Sequence, residues 1–203
     1  MTFYYGMRLL YNVLILVIQL MQTSLNKANK IAIISSSICK RINMNKFHDN
    51  LKNGNAIKRC FSGATASQFL HFIMPTLEEE KPDTVILQIG TNNFTKKRQN
   101  AQEILKEILD VVDLCQHNGV NDVFVSSVIN RPSFQSKVDE LNRYLDANAR
   151  EHNYTFIDNS NIQEIHLWRD KVHLNNKGIM LLANNFLDIL NCNDNNPGYD
   201  RFF

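Results

Sequence analysis

The sequence predicts an α/β protein with a parallel sheet buried between helices, and two observations carry that prediction. Strand-like and helix-like segments alternate from Lys30 to near the end of the chain. The run Thr84-Val-Ile-Leu-Gln-Ile-Gly90 is apolar almost throughout, the pattern of a strand covered on both faces. A length of 203 residues suits one domain with a sizeable core.

Three segments are expected: an apolar leader over 1–29, a folded domain over 30–192 and a loose tail over 193–203. In the leader, Arg8 precedes a largely apolar stretch from Leu9 to Met21, broken by Asn12 and Gln19. Thirteen residues are few for a membrane span and nearer the core of a signal peptide. The small-residue cleavage pattern is poor, which favours a non-secreted, cytoplasmic chain, with the stretch as a membrane anchor or a non-native extension. In a secreted chain, Asn93-Phe-Thr95 and Asn153-Tyr-Thr155 would be glycosylation acceptors.

Within the domain, Ile31-Ala-Ile-Ile34 is a first strand, ending in Ser35-Ser36-Ser37. A helical pattern follows, with Ile38, Ile42, Met44, Phe47 and Leu51 on one side, and Asn53-Gly54 marks a turn. Ala56 to Phe61 reads as a second strand leading into Ser62-Gly63, and Thr65 or Ala66 to Glu79 as a helix ended near Lys81-Pro82. The Thr84 run is the third strand. Ala101 to His117 is a helix closed by Asn118-Gly119. Val123 to Ile129 is a fourth strand, Ser133 to Glu151 a helix, Tyr154 to Ile157 a fifth strand, and Asn175 to Leu190 a final helix.

Composition narrows the function. A net charge of +2 is too small to imply nucleic-acid binding by itself. The four cysteines, Cys39, Cys60, Cys115 and Cys192, are too scattered for a zinc site and too few for a disulfide scaffold, so buried free thiols are expected.

The chemistry gathers at strand ends. Ser35-Ser36-Ser37, Ser62-Gly63 and Gly90-Thr91-Asn92 would all project from one edge of a parallel sheet, where ligands bind in such folds. Gly and Asn are also ordinary turn residues, so the Asn92 segment alone leaves a ligand-facing amide and a plain turn equally open. Before the last helix, Asp170-Lys-Val-His173 puts a carboxylate and an imidazole three residues apart. That spacing lets the carboxylate hold one ring nitrogen while the other faces a nucleophile. A surface histidine beside a helix entrance N-capped by Asn175 is the alternative.

The ordered set resembles the SGNH hydrolases, the GDSL-type esterases and acetylhydrolases, over about Ile31 to Leu190. The matching blocks are Ile-Ser-Ser-Ser37, Ser-Gly63-Ala-Thr, Gly-Thr-Asn92-Asn and Asp170-Lys-Val-His173. The resemblance implies a three-layer α/β/α sandwich with a flavodoxin-like parallel sheet of about five strands. It implies a serine esterase with Ser37 as nucleophile, His173 as base and Asp170 fixing the imidazole. The backbone N–H groups of Ser37 and Gly63 and the Asn92 amide would form the oxyanion hole. Gly63 is expected there because a backbone donor needs close approach without a Cβ. The implied substrate is a small ester, including lipid or carbohydrate esters, with no cofactor and no metal.

Two places depart from the family pattern of Gly-Asp-Ser and Asn-Asp. Ser35 and Ser36 stand for the glycine and aspartate, and Asn93 for the second aspartate. The first exchange predicts strain in the turn, and together they suggest an alternative, a catalytically decayed binding module. Some SGNH-like domains bind RNA, and Lys40-Arg41, Lys58-Arg59 and Lys96-Lys-Arg98 would supply a basic rim. Solvated surface charge is the plainer reading of those cations. A membrane-tethered scaffold without chemistry is the third hypothesis.

Other residues carry weaker signals. Asn130-Arg131-Pro132 borders the pocket or is simply a polar loop, and Trp168 is pocket wall or core. Cys39 reads as a buried thiol. His48, His71, His117, His152 and His166 read as surface or structural histidines.

Overall fold

The computed structural model describes Leu14, residues 28–95 and residues 99–193. Residues 1–13, 15–27, 96–98 and 194–203 lie outside the described residues, and with them the leader, anchor and loose-tail readings. Five strands form one sheet: β1 (Lys30–Ser35), β2 (Asn55–Cys60), β3 (Thr84–Gln88), β4 (Asp122–Ser126) and β5 (Thr155–Ile157). Every pairing is parallel and the order is β2-β1-β3-β4-β5, with Ile31 level with both Ala56 and Thr84. This is the expected flavodoxin-like order.

Successive strand residues serve opposite layers, which is why the inner strands read as unbroken apolar runs. Ala32, Ile34, Val85, Leu87, Val123 and Val125 pack on one side. They meet α2 (Phe69–Phe72), α3 (Met74–Glu80), α4 (Ala101–His117) and α5 (Gln135–Asn148), through Phe69, Leu77, Ile108 and Leu141. Ile31, Ile33, Ile86 and Phe124 face the other way, onto α1 (Met44–Asn50) and α6 (Asn176–Asn193), through Phe47, Leu182 and Phe186. The result is a three-layer α/β/α sandwich.

Two expected helices are broken, each for a local reason. The segment after β1 is a 3-10 turn (Ile38–Arg41), and α1 begins only at Met44. Ile42 is extended, and the Asn43 side chain caps α1 by accepting from Lys46 N–H. Lys58 Nζ on β2 donates to the carbonyls of Lys40 and Ile42 at 2.9 and 2.7 Å, holding the break open from the edge strand. The helix expected from Thr65 or Ala66 is interrupted at Ile73, because Pro75 has no N–H to continue the ladder. It ends at Lys81 in the left-handed region, φ 46°.

In this strand order the connections from β1 and β3 leave in opposite directions, opening a crevice between their carboxyl ends. The loops after β1, β2 and β3 reach that crevice.

Candidate active site

Ser37 follows β1 where the chain turns into the short 3-10 segment. Ser35 and Ser36 below it are fully buried. Ser35 Oγ accepts from the Cys39 N–H at 3.2 Å, closing the turn, while the Ser36 hydroxyl has no partner among the described residues. Neither serine adopts a positive φ, so the strain expected from the missing glycine is absent: the turn needs no left-handed residue.

His173 and Asp170 sit on a loop folded back before α6. Leu167 and Leu174 form an antiparallel bridge, Trp168 N–H donates to the His173 carbonyl at 2.7 Å, and Asn175 N–H donates to the His166 carbonyl at 2.9 Å. As expected, the Asn175 side chain caps α6, accepting from Gly178 N–H at 3.0 Å. Within the loop, Asp170 Oδ1 accepts the backbone N–H groups of Val172 and His173 at 2.9 and 3.0 Å. Its Oδ2 lies 2.7 Å from His173 Nδ1, and His173 Nε2 lies 3.0 Å from Ser37 Oγ.

The electrostatics of this chain follow. Partial burial works to raise the Asp170 pKa, but the hydrogen bonds from the His173 ring, the His173 backbone and the Val172 backbone outweigh it and hold the carboxyl at about 2. An ionised carboxylate only accepts, so Nδ1 carries the ring proton and Nε2 is left to accept from the Ser37 hydroxyl.

A cleft of about 440 Å³ surrounds the hydroxyl, lined by Ser37, Lys40, Arg41, Ser62, Gly63, Asn92, Val172 and His173. All the expected site residues except Asp170 face this one cavity, and Asp170 reaches it through His173. Asn92 Nδ2 donates to the Ala64 carbonyl at 2.9 Å, leaving its second hydrogen for a ligand and tying the loop after β3 to the loop after β2. Glycine at 63 also has a backbone reason. Its φ is +79°, a left-handed angle, whereas an added Cβ would meet no protein atom within 4 Å.

Two supports were missed from sequence. Asn93 is fully buried: its Oδ1 accepts Ala66 N–H at 2.8 Å and its Nδ2 donates to Glu107 of α4 at 2.6 Å. It therefore cannot carry a glycan in the folded protein. Arg131 is only 7 % exposed and donates from Nη1 to Thr91 Oγ1 at 3.2 Å, bracing the residue before Asn92. Burial pulls its guanidinium pKa down and the charge of Asp170 opposes that. The wide sequence separations left no periodic trace of either contact.

The other readings sort plainly. Trp168 is not core: it is 45 % exposed, with the Arg41 guanidinium 5.2 Å from its ring centroid. Cys39 and Cys115 are buried, with pKa values raised to about 12 by desolvation, but Cys60 is half-buried and Cys192 exposed, so the thiols are not uniformly interior. His166 is buried, with Nδ1 accepting from Gln163 N–H at 3.0 Å. Of the basic rim, Lys58 is bonded to the Lys40 and Ile42 carbonyls and Arg59 pairs with Glu80 at 2.7 Å, while Lys96–Arg98 lie outside the described residues.

Comparison with known proteins converges on one group. The sequence model described as the GDSL-like lipase/acylhydrolase family matches residues 40–179, more than half of the chain and including Asp170 and His173. No curated protein sequence matches. A lipase/acylhydrolase from Enterococcus faecalis superposes with a TM-score of 0.69 at 18 % identity, covering 81 % of this chain and 96 % of its own. An acylhydrolase from Bacteroides fragilis gives 0.67 at 20 % identity over 81 % and 88 %. A catalytic mutant of an acetylxylan esterase from Geobacillus stearothermophilus gives 0.68 at 17 % identity over 80 % and 94 %.

Proposed function

Because the chain belongs to the GDSL-like lipase/acylhydrolase family and is an ester-hydrolysing enzyme, we propose that Ser37 is its nucleophile, acting on small carboxylic esters through an acyl-enzyme. One observation carries the reading: Asp170, His173 and Ser37 form an unbroken hydrogen-bond chain ending on the serine hydroxyl.

A neutral serine hydroxyl attacks poorly. His173 Nε2 takes its proton as Oγ bonds to the ester carbonyl carbon. The Asp170 carboxylate stabilises the imidazolium that forms and holds the ring in the competent tautomer. The carbonyl oxygen becomes an oxyanion facing the N–H groups of Ser37 and Gly63 and the free hydrogen of the Asn92 amide. On collapse, the bond to the alcohol breaks, and His173 returns the proton to the departing alkoxide. Water, deprotonated by the same imidazole, then releases the acid and restores Ser37. The acetylxylan esterase among the structural neighbours makes acetylated carbohydrates reasonable first substrates to assay.

The test is covalent labelling by a fluorophosphonate together with turnover of 4-nitrophenyl acetate. Ser37→Ala is expected to abolish labelling and to lower kcat by about 10⁴-fold or more. Asn92→Ala is expected to lower kcat by about 10²–10³-fold, with KM little changed. Labelling and turnover that survive in Ser37→Ala refute the assignment.

A further inference from the structure

The cleft beside Ser37 carries charge of one sign. Lys40 and Arg41 line it together with the His173 imidazole, and among the described residues no carboxylate does. Asp170, next to the site, already accepts three hydrogen bonds from the Val172 and His173 groups. Lys40 is exposed, and its ammonium has no acceptor among the described residues. Arg41 is held in place: Nη2 donates to Asn176 Oδ1 at 2.7 Å, Nη1 to the Leu174 carbonyl at 3.5 Å, and the guanidinium plane lies over Trp168. A guanidinium has five N–H donors, so several remain for a ligand, in the fork that fits carboxylate or phosphate oxygens.

Position decides which half of the ester these cations meet. Arg41 is anchored to Leu174 and Asn176, the residues following His173, so it stands on the imidazole side of Ser37. Gly63 and Asn92 come from the loops after β2 and β3 and supply the oxyanion side. His173 must reach the departing oxygen to protonate it, so the alcohol half lies on the imidazole side, within the field of Arg41.

We propose that the preferred esters carry an anionic group, a carboxylate or a phosphate, on the alcohol half, with Arg41 as its recognition residue. This rests on the assignment of Ser37 and His173 above. The attraction acts across a partly solvated gap, so it is salt-sensitive.

The test compares acetate esters differing only in alcohol charge: 4-acetoxybenzoate with its methyl ester, and 4-acetoxyphenyl phosphate with phenyl acetate. Each kcat/KM is divided by the rate of hydroxide hydrolysis to remove leaving-group reactivity. The anionic member is expected to be favoured by about tenfold at low ionic strength and by about twofold or less near 0.5 M salt. Arg41→Gln is expected to erase the low-salt preference, and the better of the two anions separates a carboxylate source from a phosphate source. A third pair, mono-4-nitrophenyl succinate with 4-nitrophenyl butyrate, puts the charge on the acyl half and is expected to show no preference for the anion.

Equal normalised rates, a preference unmoved by Arg41→Gln, or a larger preference in the acyl pair would overturn the proposal. Equal small-ester rates with strong inhibition by an RNA oligonucleotide would overturn it in favour of a polyanion ligand. Absence of Ser37-dependent turnover of the neutral esters defeats the hydrolase reading itself, a result distinct from these.

Discussion

At Asp170 a single carboxylate does two jobs within one turn of chain, shaping the loop through Oδ1 and orienting the imidazole through Oδ2. Its folded pKa is depressed to about 2 from an ordinary 3.8. A depressed carboxyl contributes stability that is complete above its unfolded value and is lost as pH falls through the folded one. The window is therefore about pH 4 down to about pH 2. Urea unfolding of Asp170→Asn should show a deficit against wild type at pH 5 that shrinks towards zero near pH 2; a deficit independent of pH contradicts the shift. Asn93 makes a second argument at this scale. Its amide donates to a Glu107 oxygen at 2.6 Å while its carbonyl accepts from Ala66, a pairing a carboxylate cannot reproduce. Asn93→Asp is expected to cost about 2–4 kcal/mol in chemical denaturation near pH 7, with Glu107→Gln in the same chain recovering part of it.

Among the elements, strands and their polar ends were legible because period and composition are local: the serine, glycine and asparagine that close β1, β2 and β3 all face the cleft. The breaks at Ile42–Asn43 and Ile73 were less so. Apolar spacing continues across both; the first break is held by a bond from Lys58, 16 residues further along, and the second by the missing N–H of Pro75. The bracing of Thr91 by Arg131 spans 40 residues, and that of Asn93 by Glu107 spans 14, so neither leaves a periodic signature. Gly178 shows how closely one element sets another. A Cβ there would lie 2.5 Å from the His166 carbonyl and 2.9 Å from Leu174 Cδ2, forcing α6 away from the loop that carries Asp170 and His173. Gly178→Ala should lower kcat by roughly 10–100-fold, with about 1–3 kcal/mol of destabilisation, in paired kinetic and thermal-melt measurements. Unchanged kcat would show that the loop follows the helix without loss of register.

At the scale of the molecule, one sheet separates two cores that share no side chain among the described residues. Phe69 and Phe186 are each fully buried, on opposite faces. Each truncation to alanine is expected to cost about 3–5 kcal/mol in denaturant unfolding, and the costs should add within about 0.5 kcal/mol, because the two sites share no contacts. Strong non-additivity would mean that the sheet transmits strain between its faces. The fold class was readable because both faces of the inner strands are apolar. The position of the cleft followed from strand order, since β1 and β3 are neighbours whose connections diverge.

The separation of Ser37 from His173 by 136 residues also has a consequence for biosynthesis. During translation the serine emerges with the earliest part of the sheet, whereas its imidazole arrives only with the final helix. A ribosome-bound nascent chain therefore lacks the proposed general base until residue 173 has been added, and termination before that point yields a product without it.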